Sequence, residues 1–278
     1  MKKILLIAAL LVPIAAGAQE FAARTSVGAD VKLAKGFHLG LEEEARFADG
    51  LSSLNNLRTT LDLSYKLNKN FKIGAGYTLI NPYKLEYDDN GTLTDQGFSD
   101  VRHRLFVNAT AQGRLGDFQL SLREKLQYTR RTDDDLNVYQ TNPNALALKS
   151  RIGLKYKGSR SWEPFAYFEV RAALNDPWGE ISGSVMQTNS GKKYFSYTHT
   201  GYTHAYVDRL RMNLGTDWSP TKHHTLTLNV LGDYCMDYNI DTNSPSNWAE
   251  KGVRLFSDTT GWEDTFRVSL CLGYKYSF

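Results

Sequence analysis

Cysteine, proline and long apolar runs are all scarce in this chain. Only Cys235 and Cys271 occur in 278 residues, so no disulfide framework holds the protein together. Seven prolines leave long stretches free to run as uninterrupted strands. The one long apolar run, Ile4 to Ala16, is shorter than the ~17–25 residues of a spanning helix, which excludes a bundle of transmembrane helices. A surplus of charge is missing too: 33 Lys and Arg against 30 Asp and Glu leave a formal +3, and the mean hydropathy of −0.43 is that of a water-soluble average. What is abundant is 16 Tyr, 13 Phe and 22 Gly, a composition that leans towards strands and turns.

The apolar run belongs to a targeting segment. Met1-Lys2-Lys3 is a short basic region, Ile4 to Ala16 the apolar core, and Ala16-Gly17-Ala18 the small residues of a cleavage site. Residues 1–18 therefore read as a secretory signal peptide, and 19–278 as the exported domain.

From Phe21 onward the apolar residues fall on alternate positions: Phe21, Ala23, Thr25, Val27, Ala29, Val31 and Leu33 face one way, and Arg24, Ser26, Gly28, Asp30 and Lys32 the other. The pattern returns from Phe37, Leu57 and Phe71, and again near Val101, Phe118, Leu146, Pro164, Leu210, Leu226 and Phe266. Each segment matches the ~9–11 residues a tilted strand needs to cross a bilayer. Short connections at Ala34–Gly36, Asn68–Asn70, Gln112–Gly116, Lys157–Ser161 and Ser219–His223 alternate with long ones at Ala48–Asn56, Asn81–Ser99, Arg131–Ala145, Leu174–Ala205 and Asn239–Gly261. That rhythm is expected of an all-β, transmembrane, antiparallel up-and-down β-barrel of the outer membrane, with its short turns periplasmic. Even strand numbers prevail in bacterial barrels, yet the segments number eleven, so the expectation is 10–12 strands. Either one more strand hides in Leu174–Ala205, or the first segment closes the barrel in an unusual way.

Aromatic residues sit beside the short turns (Phe37, Tyr65, Phe71, Phe118, Tyr156, Trp162, Trp218, Tyr276) and towards the long loops (Phe47, Tyr77, Tyr128, Tyr234), which predicts two girdles. The last segment alternates through Tyr274 and Tyr276 to a terminal Phe278. This resembles the C-terminal signal read by the bacterial barrel-assembly machinery.

Inward positions carry about two basic side chains for each acidic one, while the loops are acidic, as in Asp88-Asp89 and Asp133-Asp134-Asp135. Charge of one sign on low-dielectric walls concentrates the opposite ion. The candidate pore lining is Arg58, Arg102, Arg104, Arg123, Arg151, Arg171, Arg209 and Arg211, whose planar forks suit carboxylate or phosphate groups, together with Glu42, Glu44, Asp62 and Glu169. Two readings follow: a narrow passage for small anionic solutes, or a plugged lumen in which those carboxylates neutralise the arginines and the long extracellular loops, with the Tyr-rich stretch Tyr194 to Tyr206, bind a surface partner or glycan. Glu43 and Glu124 fall on the lipid face, where a bulge or a phase slip is expected.

Other chemistry is weakly signalled. Ser196, His199, His204 and Asp208 suggest a lipid hydrolase only if something rigid holds them together. His223-His224 occupies a turn, where adjacent side chains diverge, so it is not read as a metal site. No glycine-rich phosphate loop opens a helix, so nucleotide chemistry is unsupported. No catalytic residue, metal or cofactor is expected, and no nucleic-acid partner. Cys235 is expected opposite residue 267, too far from Cys271 for a disulfide. A closed barrel satisfies its own edges, so a monomer is expected.

Val27 to Arg46 with Glu42-Glu43-Glu44-Ala45-Arg46, Leu57-Arg58, Ile73-Gly74-Ala75-Gly76-Tyr77 and Arg102 to Leu105 together resemble a family of Bacteroidota outer-membrane proteins, domain of unknown function 2490. The resemblance implies a Gram-negative outer-membrane barrel in contact with outer-membrane lipid, and brings no activity or catalytic residue with it.

Overall fold

A computed structural model describes residues 19–48, 53–87, 92–98, 101–131, 144–175, 181–187, 193–200, 204–243 and 257–278. Residues 1–18, expected to be a signal peptide, and the acidic runs at 88–89 and 133–135 lie outside the described residues.

The described chain is all strand and connection. The strands are β1 (Glu20–Ala34), β2 (Phe37–Ala48), β3 (Ser53–Lys66), β4 (Phe71–Tyr87), β5 (Leu93–Phe98), β6 (Arg102–Leu115), β7 (Phe118–Arg131), β8 (Asn144–Tyr156), β9 (Trp162–Ala173), β10 (Ile181–Gln187), β11 (Lys193–Thr200), β12 (Tyr206–Trp218), β13 (His224–Asn243) and β14 (Ser257–Ser277). Eleven of them close into a barrel in the order β1-β2-β3-β4-β6-β7-β8-β9-β12-β13-β14.

Closure answers the question of parity. With an odd number of up-and-down strands, the first and last run the same way, so the ring can close only through a parallel pair. β1 and β14 are that pair, in register from Glu20↔Arg267 to Asp30↔Ser277. Of the two alternatives, the unusual closure by the first segment holds, and Leu174–Ala205 supplies no hidden stave: its two strands, β10 and β11, form a hairpin whose ladder to the barrel, among the described residues, is His199 and Thr200 with Ile240 and Asn239 of β13. β5 likewise pairs only the far end of β4.

Two more expectations are corrected. Gln112 is not in a turn: β6 runs on to Leu115, which pairs Phe118 across Gly116-Asp117. Gly116 holds a positive φ of 57°, and Gly36 in the β1–β2 turn one of 84°, a conformation that favours glycine. The long connections also begin later than the alternation suggests, because the ladder between β13 and β14 continues to Asn243↔Ser257. Apart from Ile240 the residues of those outer pairs are polar or glycine, so they leave no apolar period to read.

Side chains tie down the remaining short turns. Asn68 Oδ1 accepts the backbone N–H groups of Asn70 (2.8 Å) and Phe71 (2.9 Å), Ser159 Oγ accepts that of Trp162 at 3.2 Å, and Thr221 Oγ1 those of His223 and His224 at 3.3 Å. These are the local bonds that make Asn, Ser and Thr good turn residues.

The barrel is inside out relative to a soluble domain. Val27, Leu41, Leu105, Leu120, Leu122, Ile152, Leu228 and Leu272 are all exposed on the outward face, whereas Glu169 and Asp233 are buried in the interior. An apolar belt of this kind has no partner within the chain. At the short-turn rim it is edged by cross-strand aromatic pairs: Phe37 with Tyr65 (ring centroids 4.3 Å apart), Phe118 with Tyr156 (5.4 Å) and Trp162 with Trp218 (5.7 Å). Tyr206 and Trp262 meet at 5.3 Å near the other rim. At the end of β14, Tyr276 packs edge-on against Phe278 at 4.7 Å, and the Phe278 N–H is held by the Asp30 carbonyl at 2.9 Å.

Candidate functional site

All the inward candidates lie on the interior phase of the barrel ladder, and the closed ring gathers them into three tiers. The central tier surrounds two carboxylates. Glu169 on β9 meets Arg151 at 2.6 Å, Arg123 at 3.3 Å, Arg211 at 3.3 Å and Lys149 at 4.0 Å. Asp233 on β13 meets Arg211 at 2.5 Å and Arg24 at 3.0 Å. Arg211 therefore bridges both acids, and the register puts it directly beside each of them, Arg211↔Glu169 and Arg211↔Asp233. The two carboxylates are 2% and 0% exposed, so their charges depend on these partners. Arg151 also lies 3.8 Å over the Tyr167 ring, whose hydroxyl accepts from Asn213 Nδ2 at 2.8 Å.

A second tier lies towards the short-turn rim. Lys155 bonds Asp217 at 2.6 Å and Glu163 at 2.7 Å, Lys157 bonds Glu163 at 2.7 Å, and Thr227 donates to Asp217 at 2.6 Å. Between these two tiers the lumen opens into a cavity of about 370 Å³ lined by Arg24, Glu42, Glu44, Tyr167, Arg211, Asn229, Cys271 and Lys275 among others. Another of about 300 Å³ is lined by Gln119, Ser121, Arg151, Lys155, Phe165 and Asp217. Both are polar and roomy enough for water.

The third tier faces the long loops and is built differently. Arg209 and Arg171 stand two residues beyond Arg211 and Glu169 along their strands and face each other in register. A bulge at Val207/Arg209 turns Asp208 inward, where it pairs with Arg171 at 2.7 Å. Across the lumen, Arg104 Nε donates to the Thr129 hydroxyl at 2.9 Å and Arg58 Nε to Asn56 Oδ1 at 2.8 Å. Among the described residues no carboxylate lies within ion-pair distance of Arg58, Arg104 or Arg209. Arg104 sits in the Coulomb field of Arg171, Arg46, Arg102 and Arg209 together.

The four inward acids named from the sequence divide accordingly. Glu169 is the hub, and Glu44 pairs with Arg46 at 2.5 Å. Glu42 and Asp62 face the interior without an ion pair among the described residues. Three members of the network were not singled out as site residues: Asp233, Lys149 and Arg24. Their signal in the sequence was only a charge at an inward position, shared with many others, and their convergence on Arg211 and Glu169 is a property of the closed ring.

Outside the lumen, neither a bulge nor a phase slip explains Glu43 and Glu124. The ladder runs unbroken through Val27↔Glu43↔Thr59 and Ala109↔Glu124↔Ser150, so both side chains project outward. Each is met by a neighbouring hydroxyl at 2.6 Å, from Thr59 and Ser150 respectively. A short cross-strand hydrogen bond serves where a register change was expected.

The weaker candidates are dispersed. His223 Nδ1 contacts the Ser277 carbonyl at 2.6 Å and His224 Nδ1 the Tyr274 hydroxyl at 2.8 Å. Ser196 and His199 stand on β11, with side chains outside the described ones, whereas Asp208 is engaged inside the barrel by Arg171. Cys235 and Cys271 form no disulfide, as expected. Their register partners are Thr265 and Asn229, so Cys235 sits two residues from the position assigned by the sequence.

A comparison with curated proteins gives no match. A family model described as a protein of unknown function, DUF2490, matches residues 23–190, from the seam strand β1 through the Glu169 hub to the β10 hairpin strand. The chain belongs to the DUF2490 family, a family of unknown function, of which it is an eleven-stranded β-barrel.

Proposed function

We propose that the protein is a non-enzymatic, porin-like barrel of the outer membrane whose basic lumen favours small anionic solutes. The observation that carries this reading is the long-loop tier, where Arg58, Arg104 and Arg209 face the lumen with no carboxylate within ion-pair distance among the described residues. A wall built only for stability pairs its buried charges, as the Glu169 tier does; unpaired cations on a low-dielectric wall raise the local concentration of anions. The exposed apolar belt, the aromatic pairs at its edge and the basic, apolar and small-residue sequence of residues 1–18 support an exported barrel seated in outer-membrane lipid. Tyr274, Tyr276 and Phe278 would then serve the barrel-assembly machinery, and a ring without free edges supports a monomer. The test is the reversal potential of the purified protein in a planar bilayer under a potassium chloride gradient. Anion preference is expected; cation preference or the absence of conductance would overturn the reading.

A second reading is favoured by the central tier. Glu169 and Asp233 are so completely enclosed that the belt can act as a plug, leaving the long loops to bind a surface partner or glycan. It predicts no conductance in the same bilayer, and loss of binding when residues 188–205 are deleted.

A further inference from the structure

We propose that the long-loop tier is a binding site for one multivalent oxyanion of the phosphate class, held by the guanidinium forks of Arg58, Arg104 and Arg209. The inference rests on the lumen being open to anions, and it names the anion.

Three observations meet here. The first is charge. This tier holds Arg58, Arg104, Arg171 and Arg209, with Arg46 beside Arg58, against two carboxylates among the described residues, Asp208, which is engaged by Arg171, and Glu44, the register neighbour of Arg58, which is engaged by Arg46. A monovalent ion leaves most of this charge uncompensated, whereas a phosphate or pyrophosphate carries two or more negative charges. The second is placement. Arg58 and Arg102 flank Ile80 in one hydrogen-bonded row of β3, β4 and β6, a backbone separation of about two strand spacings of ~4.8 Å. Arg104 lies two residues along β6 on the same face, and Arg209 reaches the same space from β12, within its Coulomb field. Forks converging from different strands match an ion with several acceptor oxygens in more than one plane. The third is an unsatisfied donor. Arg209 Nε is buried and has no hydrogen-bond partner among the described residues, while Arg104 and Arg58 spend only Nε on Thr129 and Asn56, leaving their terminal amino groups for a ligand. A buried guanidinium N–H without an acceptor is unfavourable, and an oxyanion removes that cost.

The tier also differs from the other two in a way that supports binding rather than packing. Arg123 and Arg151 are tied to Glu169, and Lys155 to Asp217 and Glu163. Only the tier nearest the long loops leaves forks of opposite walls without an acidic partner, and a solute arriving from that side meets it before the closed Glu169 belt.

The test uses the full barrel purified in detergent, with inorganic pyrophosphate as probe against sodium chloride of matched ionic strength. Pyrophosphate is expected to raise the melting temperature saturably, and Arg104→Gln and Arg209→Gln each to weaken its apparent affinity about tenfold, the loss of one charge-assisted bond. Arg209→Lys keeps the charge without the fork and is expected to weaken binding as well; it also stands in if either glutamine variant fails to fold. Stabilisation no greater than that by chloride, or equal in wild type and variants, would overturn the site. In a bilayer, pyrophosphate is expected to block the chloride current of the wild type. Binding in detergent by a barrel that carries no current would retain the site and overturn only the passage reading.

Discussion

The Glu169 belt and the arginine layer beyond it share β9 and β12, where their residues stand two apart, and solve opposite problems. In the belt every cation converges on Glu169 or Asp233, which are themselves almost wholly enclosed. In the layer, Arg104 and Arg58 meet a hydroxyl and an amide oxygen, and Arg209 Nε has no hydrogen-bond partner among the described residues. A closed ring of charge with two buried acids holds the barrel walls together. A layer with more cations than acids holds less, and an anion from solution would offset its electrostatic cost. The difference separates a stabilising element from a candidate binding element inside one lumen.

The sharpest break in this comparison comes at Arg211. Arg211→Ala leaves two buried carboxylates without their shared partner and is expected to destabilise the barrel by about 3–5 kcal/mol, read from denaturant unfolding in detergent. Arg24→Ala removes one of the two cations on Asp233, and because Arg211 remains bidentate there, a smaller loss of about 1–2 kcal/mol is expected by the same measurement. Arg104→Gln should leave unfolding within about 1 kcal/mol of wild type while moving the bilayer reversal potential towards cations; an Arg104 variant as unstable as the Arg211 one would erase the distinction between the tiers. The smallest effect is expected on the outer wall. Glu124→Gln keeps its geometry beside Ser150, removes a formal charge from the apolar face, and should change stability by no more than about 1 kcal/mol, without altering the reversal potential.

Much of this architecture was legible because a strand repeats every two residues. The alternation from Phe21 to Leu33 assigned Arg24 to the interior correctly, and the same phase did so for Arg58, Arg104, Arg151 and Glu169. The short-turn rhythm located four of the five tight connections, and missed the fifth because Gln112 looks like a turn residue while still having Ser121 as its ladder partner. Three things were illegible for physical reasons. The polar pairs beyond the belt, such as Asp241↔Thr259, carry no hydrophobic period. The bulge that turns Asp208 inward shifts one residue against its neighbours, which only the facing strand reveals. The neutral hydroxyls beside Glu43 and Glu124 come from adjacent strands, so a charge that looked like a phase error is a satisfied outward side chain.

By itself the sequence determined which face of each strand is apolar, and with it the inside-out arrangement, because side-chain alternation is a local consequence of the pleat. It also determined that Cys235 and Cys271 are too far apart along their hairpin to bond. The tertiary structure alone decided how the ring closes and which charges meet. Closure through the parallel pair of β1 and β14 joins the first and last strands of the described chain, and Arg211 joins Glu169 to Asp233 across three strands. Both depend on the register of strands far apart in the chain, a quantity that no local pattern contains.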